Sequence, residues 1–264
     1  MSRTIGIGRH HHAVPAAQRT KRPQGWSTHP RAARALGVMF LMVAATAACT
    51  AQPAEQSEAE SAPTTAVVLP LLEEQPRDVP LAPGRYVLSP FDSPSTAPMA
   101  PVLQVPQGYF SIEGAGVIAD EADDSDRYLW LWDIGSVYTH PCDVGGYPEP
   151  VGPSVADLAG ALAAQPMRDG TDPVAVTIGG YDGLYVELST PDEIDFTTCR
   201  QGYFSSWPGR FDTAEGQADL LWIVDVEGQR ITFDLSYPPG TTPEQVNELR
   251  EIVTTATFIP REGM

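Results

Sequence analysis

Beyond residue 80, apolar and polar positions mostly alternate with a period of two, the pattern of strands whose two faces see different surroundings. "GRYVLS" (84–89) and "VLQVPQGYFSIE" (102–113) read as extended, the second broken at Pro106, which has no amide to give to a ladder. "YLWLWDIGSVY" (128–138) is the strongest strand: Tyr128, Trp130 and Trp132 fall on one face and Leu129 and Leu131 on the other. Apolar residues on both faces predict a central strand covered on both sides. "VAVTIGGYDGLYVEL" (174–188) predicts a hairpin in which Val174, Val176 and Ile178 lead into a Gly-rich turn and Leu184, Val186 and Leu188 return. A second hairpin spans 220–236, with Ile231, Phe233 and Leu235 sharing a face of its return strand.

Two stretches change to a helical period. In "SVADLAGALAAQ" (154–165), Ser154 and Asp157 have capping-box spacing and Val155, Leu158 and Leu162 share a face. In "TTPEQVNELREIVTT", Thr242 caps, Pro243 occupies the first turn, Gln245 completes a capping box, and Val246, Leu249, Ile252 and Val253 form the apolar stripe. Hairpins punctuated by two amphipathic helices predict an α+β domain over 81–264, an antiparallel β-sheet packed by those helices. At about 180 residues it can bury one real core.

The chain ahead of it reads differently. Residues 1–34 hold seven Lys/Arg and no acid, and residues 35–48, "ALGVMFLMVAATAA", are uncharged. A basic flank, a short apolar core and small residues define a secretory signal over 1–48, and the run falls short of the ~20 residues of a spanning helix. Cys49 follows "TAA", as in a bacterial lipobox with Thr46 in place of the usual Leu. Acylation of Cys49 is the expected outcome, and cleavage to a free secreted chain is the alternative. Residues 49–80 are rich in Ala, Glu, Gln, Pro, Ser and Thr, the composition of a flexible linker with a reach of roughly 30 Å. The short "AVVLPLL" within it is apolar enough to dock on the domain instead.

Charge narrows the partners. The formal charge of −18 deepens once the leader's seven positives are set aside, because nine arginines then face 34 acids, a net of −25. A body this acidic repels nucleic-acid phosphates and anionic headgroups. The expected partners are the membrane, reached through the lipid anchor, and an envelope protein or small ligand; no nucleic acid is expected.

Candidate chemistry is sparse. "THPCD" (139–143) holds His140, the one histidine beyond the leader, two places from Cys142. A thiol–imidazole pair needs a thiolate. Once Cys49 is acylated, however, Cys142 and Cys199 are the two cysteines left in an oxidising compartment, and a disulfide is the default. One histidine and two cysteines without tight spacing do not predict a zinc site, and neither metal nor cofactor is expected. Asp120, Glu121, Asp123, Asp124 and Asp126 read as a solvated turn, since the central Gly and terminal Glu of a calcium loop are missing. "GAGVIAD" (114–120) lacks the strand–loop–helix context of a dinucleotide site, and no G-x-S-x-G occurs. Paired carboxylates would suit a cell-envelope hydrolase, although no pair stands out. Tyr147, Tyr203, Phe204 and Trp207, in turn-rich sequence, are candidate binding rings for a carbohydrate-binding module.

The order "HPC", "VGPSVADLAGALAAQ", "VTIGGYDGLYVELSTP", "TTC", "WPGR" and "LLWIVDVEGQRITFDLSYPPGTTPEQVNELREIV" resembles a group of actinobacterial exported proteins and lipoproteins. In that group two cysteines flank the first helix and hairpin, and a hairpin precedes a Pro-capped last helix. The outline is also similar to PsbP/Mog1-like domains, which is a likeness of fold alone. The resemblance implies an exported, membrane-anchored domain and carries no catalytic residue. The expectation is therefore a lipid-anchored, extracytoplasmic binding or accessory module.

Overall fold

The computed structural model describes residues 68–261 except 78, 91–96, 120–126, 144–146, 192 and 213–214. In chain order the elements are β1 (Gly84–Val87), β2 (Met99–Val105), β3 (Tyr109–Ile112), β4 (Gly116–Ala119), β5 (Arg127–Trp132), β6 (Ser136–Val137) and β7 (Glu149–Pro150). Then follow α1 (Val155–Ala163), β8 (Asp169–Gly170), β9 (Val174–Ile178), β10 (Tyr181–Ser189), β11 (Ala218–Val226), β12 (Gln229–Tyr237), α2 (Pro243–Thr254) and β13 (Thr257–Pro260). The class is α+β, mainly β, with antiparallel pairing throughout the ladders and α1 and α2 as the α-helices of the described residues.

The main sheet runs β3-β4-β5-β12-β11-β10-β8, with β9 also paired to β10. Its centre is the β11–β12 hairpin, in register from Ala218↔Tyr237 to Val226↔Gln229. β5 joins β12 through Leu129↔Leu235 and Leu131↔Phe233, so it is flanked by β4 and β12 and covered on both faces, as its sequence predicts. The stretch 102–113 divides at Pro106 between two sheets: β2 belongs to the smaller β1-β2-β13 sheet and β3 to the main one. Residues 114–119 of "GAGVIAD" form a hairpin turn and β4, and the next described element is the strand β5.

One face of the main sheet carries Leu129, Leu131, Ile231, Phe233, Leu235, Leu220, Trp222 and Val224. It packs against the α2 stripe, Val246, Leu249, Ile252 and Val253, and against Tyr86, Leu103 and Val105 of the smaller sheet. Both helices carry the predicted caps: Ser154 and Asp157 at α1, Thr242 and Gln245 at α2, each pair bonded reciprocally. Leu72 lies fully buried in this core, and Leu69 and Leu71 cover Val87, Ala100 and Val102 on the outer face of the small sheet. Leu69, Leu71 and Leu72 of "AVVLPLL" therefore dock, and the packed structure starts ahead of residue 81. Apolar side chains next to a free hydrophobic sheet face gain more from burial than they lose in chain entropy.

The opposite face carries Val186, Leu188, Leu221, Ile223, Trp130 and Trp132, covered by Leu158, Ala159 and Leu162 of α1 and by Trp207. α1 sits close to the sheet edge: a side chain on Gly170 of β8 would come within 2.5 Å of the Ala163 carbonyl oxygen. The β9–β10 turn is Gly179-Gly180, both with positive φ (57° and 91°).

Candidate functional site

The α1 face of the sheet is not uniformly apolar. On β12, Thr232, Asp234 and Ser236 alternate with Ile231, Phe233 and Leu235, and on β11 Asp219 alternates with Leu220. The described residues of the segment 190–217 fold over these positions and bring in Arg210 and Asp212, while the turn after α1 supplies Arg168; all five charged side chains are buried.

Their contacts form one network. The Arg168 guanidinium donates to Asp212 through Nη1 and to Asp219 Oδ2 through Nη2, the latter at 2.5 Å. Arg210 Nη2 contacts Asp212 Oδ1 at 2.7 Å and donates to Asp219 and, at 2.6 Å, to Ser236 Oγ. Asp234 lies at the margin, with Arg210 Nε 3.4 Å from its Oδ2 and Trp132 Nε1 donating to the same oxygen at 3.0 Å. Thr190 Oγ1 donates to Asp212, Ser206 Oγ accepts from Arg168, and Gln165 Nε2 ties the segment down through the carbonyls of Tyr138 and Ser206.

Three carboxylates and two guanidiniums cannot all be ionised without a net charge in a dry layer, and the structure shows which group yields. Burial pushes the Asp234 carboxyl up to about 8, with Asp219 reinforcing the shift and Arg210 and the Trp132 hydrogen bond opposing it. Burial also works to raise Asp219, but Arg210 and Arg168 outweigh it and hold that carboxyl below its ordinary value. Burial disfavours the Arg210 cation too, yet Asp212, Asp219 and Asp234 keep it protonated above its usual range. Burial pushes the Asp212 carboxyl above its ordinary value as well, with Arg210 and Arg168 opposing it and Asp219 adding to the shift. Two cations balance two carboxylates once one carboxyl of the layer holds a proton, and Asp234, with the weakest guanidinium contact, is the one the geometry favours.

Beside this network the chain is clamped covalently. Cys142 and Cys199 are joined, with S–S 2.01 Å and Cα atoms 4.5 Å apart. Arg200 N donates to the Cys142 carbonyl and Ser205 N to that of Pro141, so the bridge fastens "THPCD" to the start of the covering segment. The bridge leaves no thiolate at Cys142 for the exposed His140 to assist.

The candidate rings do not form one surface. Phe204 is fully buried and Trp207 only 1% exposed, which corrects the expectation that these two rings face solvent. Phe204 lies in a small cluster with Phe196 and Cys199, while Trp207 meets Trp132 edge to face at 5.9 Å beneath α1. Turn-rich sequence marks irregular backbone and does not show which side the chain's large rings take. Tyr203 is half-buried and crosses Phe211, 47% exposed, at 4.5 Å; Tyr147 stands clear of the surface at 96%. Cys49 and the acidic residues Asp120, Glu121, Asp123, Asp124 and Asp126 lie outside the described residues.

Sequence reading missed the Arg168–Arg210–Asp212–Asp219–Asp234 network altogether. The available signal was Asp234 between Phe233 and Leu235 in a strand paired on both sides. Among the described residues no cluster of three or more His, Cys, Asp or Glu is set to hold a metal, and no helix is long and apolar enough to cross a membrane.

Fold and site together define a disulfide-clamped α+β domain, mainly β, with a buried ionic layer. No protein-family model matches the chain, and no curated protein matches it. Among solved structures it is similar to LpqN, involved in cell envelope biogenesis of Mycobacterium tuberculosis, with a TM-score of 0.37 and 13% identity over 67% of this chain and 91% of LpqN.

Proposed function

We propose that the chain is an exported domain held at the outer face of the cell membrane through acylated Cys49, acting as a non-catalytic binding or accessory module of the cell envelope. The observation that carries this reading is the Cys142–Cys199 disulfide, a bond that persists in oxidising, extracytoplasmic compartments. The basic and apolar leader ahead of Cys49 supplies the route of export. The three carboxylates of the ionic layer are buried and paired with arginines, an arrangement suited to fixing a fold rather than to meeting substrate. A carbohydrate platform of Tyr203, Phe204 and Trp207 is not available, since two of the three rings are inside.

The test is an intact mass of the protein from the native membrane fraction, with free thiols blocked and without reduction. The expected species begins at Cys49, carries a diacylglyceryl group there and has unblocked Cys142 and Cys199. Cys49→Ser is expected to move the protein out of the membrane fraction. An unmodified N-terminus, or a membrane fraction unchanged by that substitution, overturns the anchor.

A further inference from the structure

Between the C-terminal half of α2 and the end of β2 lies an open cleft of about 400 Å³, and α2 packs on the face of the main sheet opposite to α1. That volume suits a small molecule rather than a folded partner. Its walls are apolar, from Pro83, Val105, Pro106 and Ile252, and its rim is acidic, from Glu248 and Glu251.

The two glutamates are positioned for a ligand charge. The Tyr109 ring is buried, and its hydroxyl donates to Glu248 Oε1 at 2.8 Å, which holds that carboxylate at the cleft. Glu251 follows three residues on, on the same edge of α2, where like charges disfavour each other. Neither carboxylate has an ion-pair partner among the described residues. The last turn of α2 also lacks a basic residue, so the negative end of the helix dipole adds to the same field. A cation placed there relieves all three effects, and the apolar walls receive the body that carries it.

We propose that this cleft binds a small organic cation, with its ammonium group between Glu248 and Glu251 and its hydrocarbon part against Val105, Pro106 and Ile252. The inference rests on the reading of the chain as a binding module and names the class of ligand.

The probe is phenethylamine, titrated into the full chain and followed by NMR, with neutral 2-phenylethanol as its isosteric control. The expected result is saturable one-to-one binding, about tenfold weaker for the alcohol, a difference of about 1.4 kcal/mol. Glu248→Gln with Glu251→Gln is expected to lower amine affinity by a similar factor. Glu251→Gln alone serves if the double variant fails to fold, because Glu251 is exposed. Absence of saturation overturns the proposal, and so does equal affinity for amine and alcohol or undiminished binding by the glutamine variants. A lysine-containing peptide that saturates where phenethylamine does not also overturns it, by assigning the cleft to a protein partner. The titration does not depend on Cys49. A silent titration of a lipidated protein defeats the cleft alone, and binding by an unlipidated one defeats the anchor alone.

Discussion

Trp132 and Asp234 meet across two neighbouring strands: β5 and β12 pair with Trp132 opposite Thr232, and the indole Nε1 reaches past to donate to Asp234 Oδ2 at 3.0 Å. The indole supplies one charge-free hydrogen bond to a carboxyl that has the weakest guanidinium contact of the three in the layer. Asp212 and Asp219 each touch both arginines, whereas Asp234 has only Arg210 Nε at 3.4 Å. Asp234 is therefore the carboxyl whose contacts favour the excess proton.

This placement predicts an uncommon pH dependence. A carboxyl raised to about 8 in the folded state takes up a proton on folding at any pH between its unfolded value, about 4, and 8. Its contribution is fully present below about pH 4 and is lost as pH rises towards 8. Asp219, held low, acts at the other end: its contribution is present above about pH 4 and lost on acidification. Asp212, also raised by burial, acts in the same sense as Asp234, so between pH 5 and 8 stability is expected to fall with rising pH, with a slope on the order of 1.4 kcal/mol per pH unit. Asp234→Asn, which mimics the protonated form, is expected to fold as well as the parent near pH 5 and to flatten the slope. Urea denaturation midpoints over this range check both, and a parental slope in Asp234→Asn shows that the proton sits elsewhere.

The arginines are predicted to be unequal to their substitutes. Arg210→Met removes the group that touches all three carboxylates and leaves the remaining charges buried and uncompensated, a loss of about 3–5 kcal/mol. Arg168→Lys keeps a charge but loses the fork that spans Asp212 and Asp219, so its cost is expected to be smaller than that of Arg168→Met yet clearly measurable. Chemical denaturation of the three variants gives the ranking. Equal stability of Arg168→Met and the parent would mean that the layer contributes nothing.

Much of the frame was legible because local and tertiary demands agree. The Thr242–Pro243–Gln245 cap and the Val246, Leu249, Ile252, Val253 stripe were readable, since a capping box and a 3.6 period have one reading. The β11–β12 hairpin was readable from its alternation and its Glu227-Gly228 turn, both at positive φ. The ionic layer was not. Alternation in "QRITFDLS" tells which residues share a face and is silent on whether the second face is wet. Asp234 and Ser236 read as solvent-facing until the 190–217 segment, itself without periodicity, is known to cover them. The buried positions of Phe204 and Trp207 escaped for the same reason: nothing local marks a loop that serves as a layer of the core.

That loop leads to the last prediction. The Cys142–Cys199 bridge spans 57 residues and encloses α1, the β9–β10 hairpin and the start of the covering segment. On the chain-entropy model a loop of this length stabilises by roughly 4 kcal/mol, chiefly by restricting the unfolded chain. Cys142→Ser with Cys199→Ser is therefore expected to lower unfolding free energy by about that much while leaving far-ultraviolet circular dichroism unchanged. Hydrogen exchange is expected to rise first at Phe204, Ser205 and Asp212, the backbone that the bridge holds over the ionic layer. Exchange that rises uniformly would mean that the bridge acts on the unfolded state alone, and that arginines and carboxylates suffice to keep the segment closed.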